Sequence, residues 1–298
     1  MEYSAFSLLN TIILSSYLIG MLIIGFFFSK KISNSEQFFL GGRNLPWIAV
    51  AMSMYASLTS AVTFMGLPVI AYDENIALIA VCLSSILVAP IILKLFYSKY
   101  HKYRIITSYQ YILKRFGPKA QKSVASLFVL SRVGWLGTVI YAPALALSAA
   151  TGYSLEICIL LIGCIATIYT TLGGIVAVVW TDIIQFIILI SGAIWICISL
   201  VENTPGGLQL IVDNASNANK FDIFTWDINW MKLSFPVVAI SFFLQLMQEY
   251  GTDQVTVQRM MATGSQKKTI KAISFNAVTD LITISLLLFI GLGLFSFY

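Results

Sequence analysis

The chain has 298 residues, 58% of them hydrophobic and only 10% charged, with a mean hydropathy of +0.87. Soluble domains carry about a quarter charged residues, so a water-soluble globular fold is excluded. The net charge of +5 does not point to nucleic acid, because the basic residues sit in alternate polar breaks and not on one face. Apolar stretches of about 20 residues, long enough to cross the hydrocarbon core as helices, recur along the whole length. The expected fold is therefore all-α: a polytopic helical membrane protein forming a single transmembrane domain over 1–298.

The first apolar stretch, 6–28, exceeds a signal-peptide core, follows no basic residue and ends at Lys30 and Lys31, so it is expected to stay as a membrane span. Loop 29–45 mixes charge with Phe38, Phe39 and Leu40, which fits either an interfacial helix or a solvated connector. The second span, 46–72, contains Gly66 and Pro68, tolerable only where neighbouring helices or a cavity satisfy the freed backbone groups. Its run Tyr55-Ala56-Ser57-Leu58-Thr59-Ser60-Ala61-Val62-Thr63 packs small residues and hydroxyls into mid-span. In a continuous helix these residues serve close packing. In an interrupted one, free carbonyls of Ala56 and Thr59 are available to a cation and exposed amides to an anionic group.

A third span, 76–98, leads into loop 99–120, where charges again alternate with aromatics such as Tyr103, Tyr109, Tyr111 and Phe116. His101 in that loop has no neighbouring cysteine or histidine, so a metal role is not expected. The fourth span, 121–150, carries Arg132, whose guanidinium needs a carboxylate or phosphate partner. A substrate would supply one, and so would Glu249 or Asp253 of the protein.

Spans 155–173 and 175–200 follow, the second holding Trp180-Thr181-Asp182-Ile183-Ile184-Gln185. Asp182 there is placed to coordinate or relay a small cation, or to bond a helix end near the interface. Stretch 201–229, with Pro205, Gly206 and Gly207, reads as an external linker with short helices. Spans 231–258 and 272–297 complete about eight, and they add Glu249, Asp253 and Asp280 to the costly intramembrane ionisable residues.

Lysines and arginines cluster after the first, third and seventh spans, at Lys30, Lys31 and Arg43, at Lys94 through Lys122, and at Arg259, Lys267, Lys268 and Lys271. These breaks are expected to be cytoplasmic, which puts both termini outside, as an even span count requires. Cys82, Cys158, Cys164 and Cys197 fall in apolar stretches without metal or disulfide spacing and read as small packing residues. Trp135, Tyr141, Trp180, Trp195, Trp226 and Trp230 lie near expected interfaces, as belt anchors do. With no Gly-rich phosphate loop and no nucleophile and base arrangement, an enzyme is not expected.

Several segments together resemble the sodium:solute symporter family. They are Phe39-Leu40-Gly41-Gly42-Arg43-Asn44-Leu45-Pro46, Val139 to Leu147, Thr171-Leu172-Gly173-Gly174-Ile175 with Trp180-Thr181-Asp182 and Gln185, and Tyr250-Gly251-Thr252-Asp253-Gln254 with Gln258-Arg259. The resemblance implies a leucine-transporter-type core of two inverted five-helix repeats after one extra N-terminal helix, with sites at broken helices near mid-membrane. It makes 6–28 the extra helix, 46–200 the first repeat, 201–229 an external loop and 231–298 the start of an incomplete second repeat.

It also implies sodium as the coupling ion, on Ala56 and Thr59, with Asp182 near the sodium path and the complementary ligands beyond Tyr298. Ser60, Thr63 and Arg132 fall at the substrate contacts of sialic acid members, which favours a carboxylate-bearing solute. The implied partners are that solute, sodium and the lipid bilayer of a cell membrane, with no nucleic acid and no obligatory protein partner. Two other readings stay open: a symporter-like membrane sensor, and a truncated symporter unable to transport alone.

Overall fold

The computed structural model describes residues 8–30, 32–223 and 234–298. Lys31, Trp226, Asp227 and Trp230, and the first residues of the 6–28 and 231–258 spans, lie outside the described residues. Among the described residues every regular element is a helix. This follows from the solvent: without water, a lipid-facing backbone must satisfy its own polar groups.

Helix α1, Leu8–Ser29, runs along the helix that occupies Leu155–Asn203. The short α2, Ser35–Leu40, is capped by Asn34, whose side chain accepts from the Gln37 amide at 2.8 Å. The second expected span is broken into α3, Trp47–Leu58, and α4, Ala61–Asp73, at an angle of 62°. Pro68 is accommodated inside α4 by close approach of another helix. A Cβ at Gly291 would lie 2.3 Å from the Pro68 carbonyl oxygen, so only glycine permits this crossing.

The third span is α5, Ala80–Ile92, a π-helical turn at Leu93–Tyr97 and α6, Ser98–Tyr103. What reads as the rest of loop 99–120 is largely helix, because α7 starts at Ser108 and extends to Thr151, bent at Gly117. Its chain reversal needs φ +83°, ψ 177° at Gly117, with Pro118 opening the membrane portion.

Helix α8, Leu155–Asn203, contains both the fifth and sixth spans, divided at Gly174 where φ is +57° and ψ −161°. Next come α9, Gly207–Asn217, and a second interrupted span: α10, Phe235–Gly251, then α11, Gln254–Ala262. The last helix, α12, Gln266–Phe297, packs against α3, α4, α5 and α8. Five of the described helices are long and apolar enough to cross a membrane, and the bent α3–α4 pair makes a sixth candidate; dividing α8 at Gly174 adds one, and the interrupted α10 and α11 occupy the remaining expected span. After α9, the buried Lys220 donates from Nζ to the Tyr72 carbonyl at 2.5 Å, tying the linker to the end of α4.

The family-like segments have structural work. Gln258 Nε2 donates to the Phe39 carbonyl at 2.8 Å, the Leu45 amide donates to the Ala262 carbonyl at 3.2 Å, and Gln254 Oε1 accepts from the Ser108 amide at 3.0 Å. They bind the α2 region and the start of α7 to α11.

At Gly174 an added Cβ would stand 2.8 Å from the Phe38 carbonyl oxygen, in a backbone region open essentially to glycine. Gly174→Ala is expected to destabilise the protein by about 1–3 kcal/mol. Gly192→Ala, in open helical space on the same element, is expected to leave stability unchanged or raise it; thermal melting in detergent compares the two.

Candidate functional site

Two spans are interrupted in the same way. After Leu58 the chain runs extended through Thr59 (φ −85°, ψ 96°) and Ser60 (φ −87°, ψ 170°), and Ser60 caps α4 by accepting from the Thr63 amide at 3.4 Å. After Gly251, Thr252 and Asp253 make an equally short break, and Asp253 caps α11 by accepting from the Val255 amide at 2.9 Å. Each break frees carbonyls at one helix end and amides at the next. On α3 the Thr59 amide takes the Tyr55 carbonyl at 2.9 Å, so the carbonyls of Ala56, Ser57 and Leu58 lack the donor a further turn would have given.

Asp182 lies on α8 past the Gly174 bend and is 5% exposed. Its Oδ2 accepts from Ser53 Oγ at 2.5 Å and Ser57 Oγ at 3.2 Å, both on α3, and from Arg259 on α11 at 3.0 Å. Arg259 also donates to Ser53 Oγ at 2.9 Å and Ser57 Oγ at 2.6 Å. This corrects the sequence expectation for Arg259, which grouped it with the cytoplasmic basic residues. It is 8% exposed, because the break at Thr252 redirects α11 inward. It also replaces the helix-end reading of Asp182 with a buried ion pair inside a helix.

Arg132 donates to Asp253 and lies 5.1 Å over the Phe128 ring. Asp253 is buried, whereas the Arg132 side chain remains 36% exposed. Of the two protein partners considered for Arg132, Asp253 is the one that holds it.

A cavity of about 1100 Å³ opens beside the first break, lined among others by Tyr17, Thr59, Ser60, Phe64, Pro143 and Gln185. Thr63 reaches this group through Ser60, their hydroxyls 3.5 Å apart. Ala56, Asp182 and Arg132 do not line the cavity: Asp182 points to the preceding turns of α3, and Arg132 to the second break. Sequence reasoning missed Ser53 and gave Ser57, within the small-residue run, no role of its own. Their spacing of four residues, on the stripe that meets α8, was the available signal. His101, expected to have no cysteine or histidine beside it, pairs its Nε2 with the Thr269 hydroxyl at 2.9 Å.

A family model described as "Sodium:solute symporter family" matches residues 38–297. The chain belongs to that family. It is 31% identical, over its whole length and 60% of the relative's, to the sodium/sialic acid symporter SiaT of Proteus mirabilis (strain HI4320). It is 30% identical to the sodium/sialic acid symporter NanT of Aliivibrio fischeri, again over its whole length and 59% of the relative's. Sodium-coupled monocarboxylate transporter 2 of Bos taurus is 29% identical, with 49% of its length covered.

Among solved structures, a substrate-bound outward-open sodium-coupled sialic acid symporter superposes with a TM-score of 0.94 at 31% identity, covering 98% of this chain and 61% of that one. The fold is therefore of the leucine-transporter type, and the relatives are transporters. The chain spans about 60% of the length of the first two relatives it matches.

Removing one partner of a buried ion pair strands the other charge, at a cost of about 3–5 kcal/mol. Arg259→Gln and Asp182→Asn are each expected to lower stability strongly, and the double variant by much less than their sum. A double-mutant cycle of thermal unfolding measures the coupling.

Proposed function

We propose that the chain belongs to a sodium-coupled symporter that imports a small carboxylate-bearing solute by alternating access. The observation that carries the solute class is the Arg132–Asp253 pair: a guanidinium at a helix break already engages a carboxylate, and a substrate carboxylate of like geometry competes for it. The sialic acid and monocarboxylate relatives support this reading, since both kinds of solute bear a carboxylate. Ser60 and Thr63, capping α4 beside the cavity, are assigned to the polar part of the same solute.

Sodium is assigned to the end of α3, where the carbonyls of Ala56 and Thr59 supply hard oxygen donors of the kind a small cation requires. Asp182 is assigned to the sodium path. With Arg259 on one side and two serines on the other, it provides a carboxylate whose charge is balanced yet close to α3. When bound, the ion supplies positive charge that favours one arrangement of the broken spans over the other, and the solute is carried by that preference.

In this reading 8–29 is an extra helix, residues 46–200 form the first repeat and 234–298 begin the second. The alike breaks at 59–60 and 252–253, one in each repeat, support that division. The basic segments face the cytoplasm of a cell membrane and both termini lie outside.

Uptake into proteoliposomes tests the reading. A sodium gradient, compared with a potassium gradient, is expected to drive accumulation of labelled sialic acid or lactate and not of glucose or proline. Arg132→Ala is expected to abolish that uptake, while Asp182→Asn weakens its dependence on sodium. Equal uptake under both gradients, with full-length relatives active alongside, would overturn sodium coupling. No uptake of any solute would overturn transport by this chain alone.

A further inference from the structure

Asp280 stands midway along α12, a 32-residue helix through the membrane, and has no role in the site above. It enters none of the ion pairs among the described residues. Its Oδ2 accepts from Ser85 Oγ of α5 at 2.6 Å. Tyr250 of α10 lies beside both Asp280 and Ser85, and Tyr55 of α3 adjoins both Asp280 and Thr283. The titratable groups facing it are Tyr55 on α3, Cys82 on α5, and Glu249 and Tyr250 on α10. None of them is a cation, and Glu249 adds a second negative charge.

The carboxylate is accompanied by buried polar atoms short of partners. Asn276, fully buried, has an unpartnered Oδ1 and Nδ2, and Thr283, also fully buried, has only the Tyr55 hydroxyl beside its Oγ1. At spacings of three and four residues from Asp280, both share its face of α12. Native interiors leave few such atoms, and each in a membrane interior needs an explanation. A bare carboxylate in a span, short of cationic partners and beside a second acid, is costlier still. A positive charge bound at this point removes the deficit in charge and coordinates the Thr283 oxygen on the side away from Tyr55.

We propose that Asp280, with the hydroxyls of Ser85 and Thr283, forms a binding site for a small monovalent cation, a proton or an alkali ion, where α3, α5, α10 and α12 meet. The site is separate from the Asp182 cluster and contains neither Ala56 nor Thr59. Because α3 and α10 are the first halves of the two broken spans, its occupancy changes the charge between the elements whose breaks form the transport site. Cation loss would leave Asp280 and Glu249 repelling each other across the α10–α12 contact.

Infrared difference spectroscopy of the purified chain tests this without requiring transport, so its failure is distinct from failure of the symport reading. The samples are wild type, Asp280→Asn and Glu249→Gln, in sodium-free choline buffer at neutral pH and after addition of sodium chloride. Thermal melting of each is followed in both buffers. A protonated-carboxyl band present in wild type and Glu249→Gln but absent in Asp280→Asn is expected if a proton occupies the site. Loss of that band on adding sodium shows that the alkali ion displaces the proton.

If the band is missing without sodium, a sodium-induced rise in melting temperature that Asp280→Asn diminishes assigns the site to the alkali ion. The proposal is overturned if no band depends on Asp280 and sodium stabilises Asp280→Asn as much as wild type, with native helix content in both.

Discussion

The constraint on which the rest of the structure depends is that Asp182, placed in an apolar span, must find its partners inside the protein. Two elements supply them to the carboxylate on α8: α3 with Ser53 and Ser57, and α11 with Arg259, so three elements meet there. None of the three is satisfied alone. The cluster therefore links the first half of one broken span to the second half of the other. It sets α3 against α8 up to Leu58, which leaves the break at Thr59 and Ser60 at the edge of this rigid contact.

The interruptions and the charges are connected. A continuous helix from 235 onward would not present Arg259 to α8, and the turn at Thr252 and Asp253 does so. The same turn places Asp253 as a helix cap and as the partner of Arg132. One short break thus exposes backbone groups, positions a buried cation and engages a second one. At the other break, Ser60 caps α4 in the same manner and borders the large cavity. The likeness of the two breaks is the local expression of the leucine-transporter-type fold.

Much of the architecture was legible because the bilayer imposes a length on every span. Apolar runs of about 20 residues and the polar breaks between them gave the span count, the division at Gly174 and the suspicion that 46–72 is interrupted. The run from Tyr55 to Thr63 also stood out in the sequence, since hydroxyls crowded into mid-span with Gly and Pro nearby are unusual, whereas the substrate role of Ser60 and Thr63 came from the family resemblance. Arg259 was misread because a basic residue after an apolar run has the same appearance whether it faces cytoplasm or turns back into the bundle. The helical content of 99–120 stayed undecided between an interfacial helix and a solvated connector because short amphipathic helices and charged connectors share a composition.

By itself the sequence determined a lipid-embedded, all-helical chain with its spans, its costly ionisable residues and its family. Those properties depend on local composition and on motifs that survive as strings of residues. Which charges pair was decided only by the tertiary structure: Asp182 with Arg259, 77 residues apart, and Arg132 with Asp253, 121 apart. Asp280, which accepts from Ser85 and forms no ion pair among the described residues, was decided the same way. The reason is physical. A buried charge is satisfied by whatever group the packing of distant helices brings within about 3 Å, and nothing in its own sequence neighbourhood records which group that is.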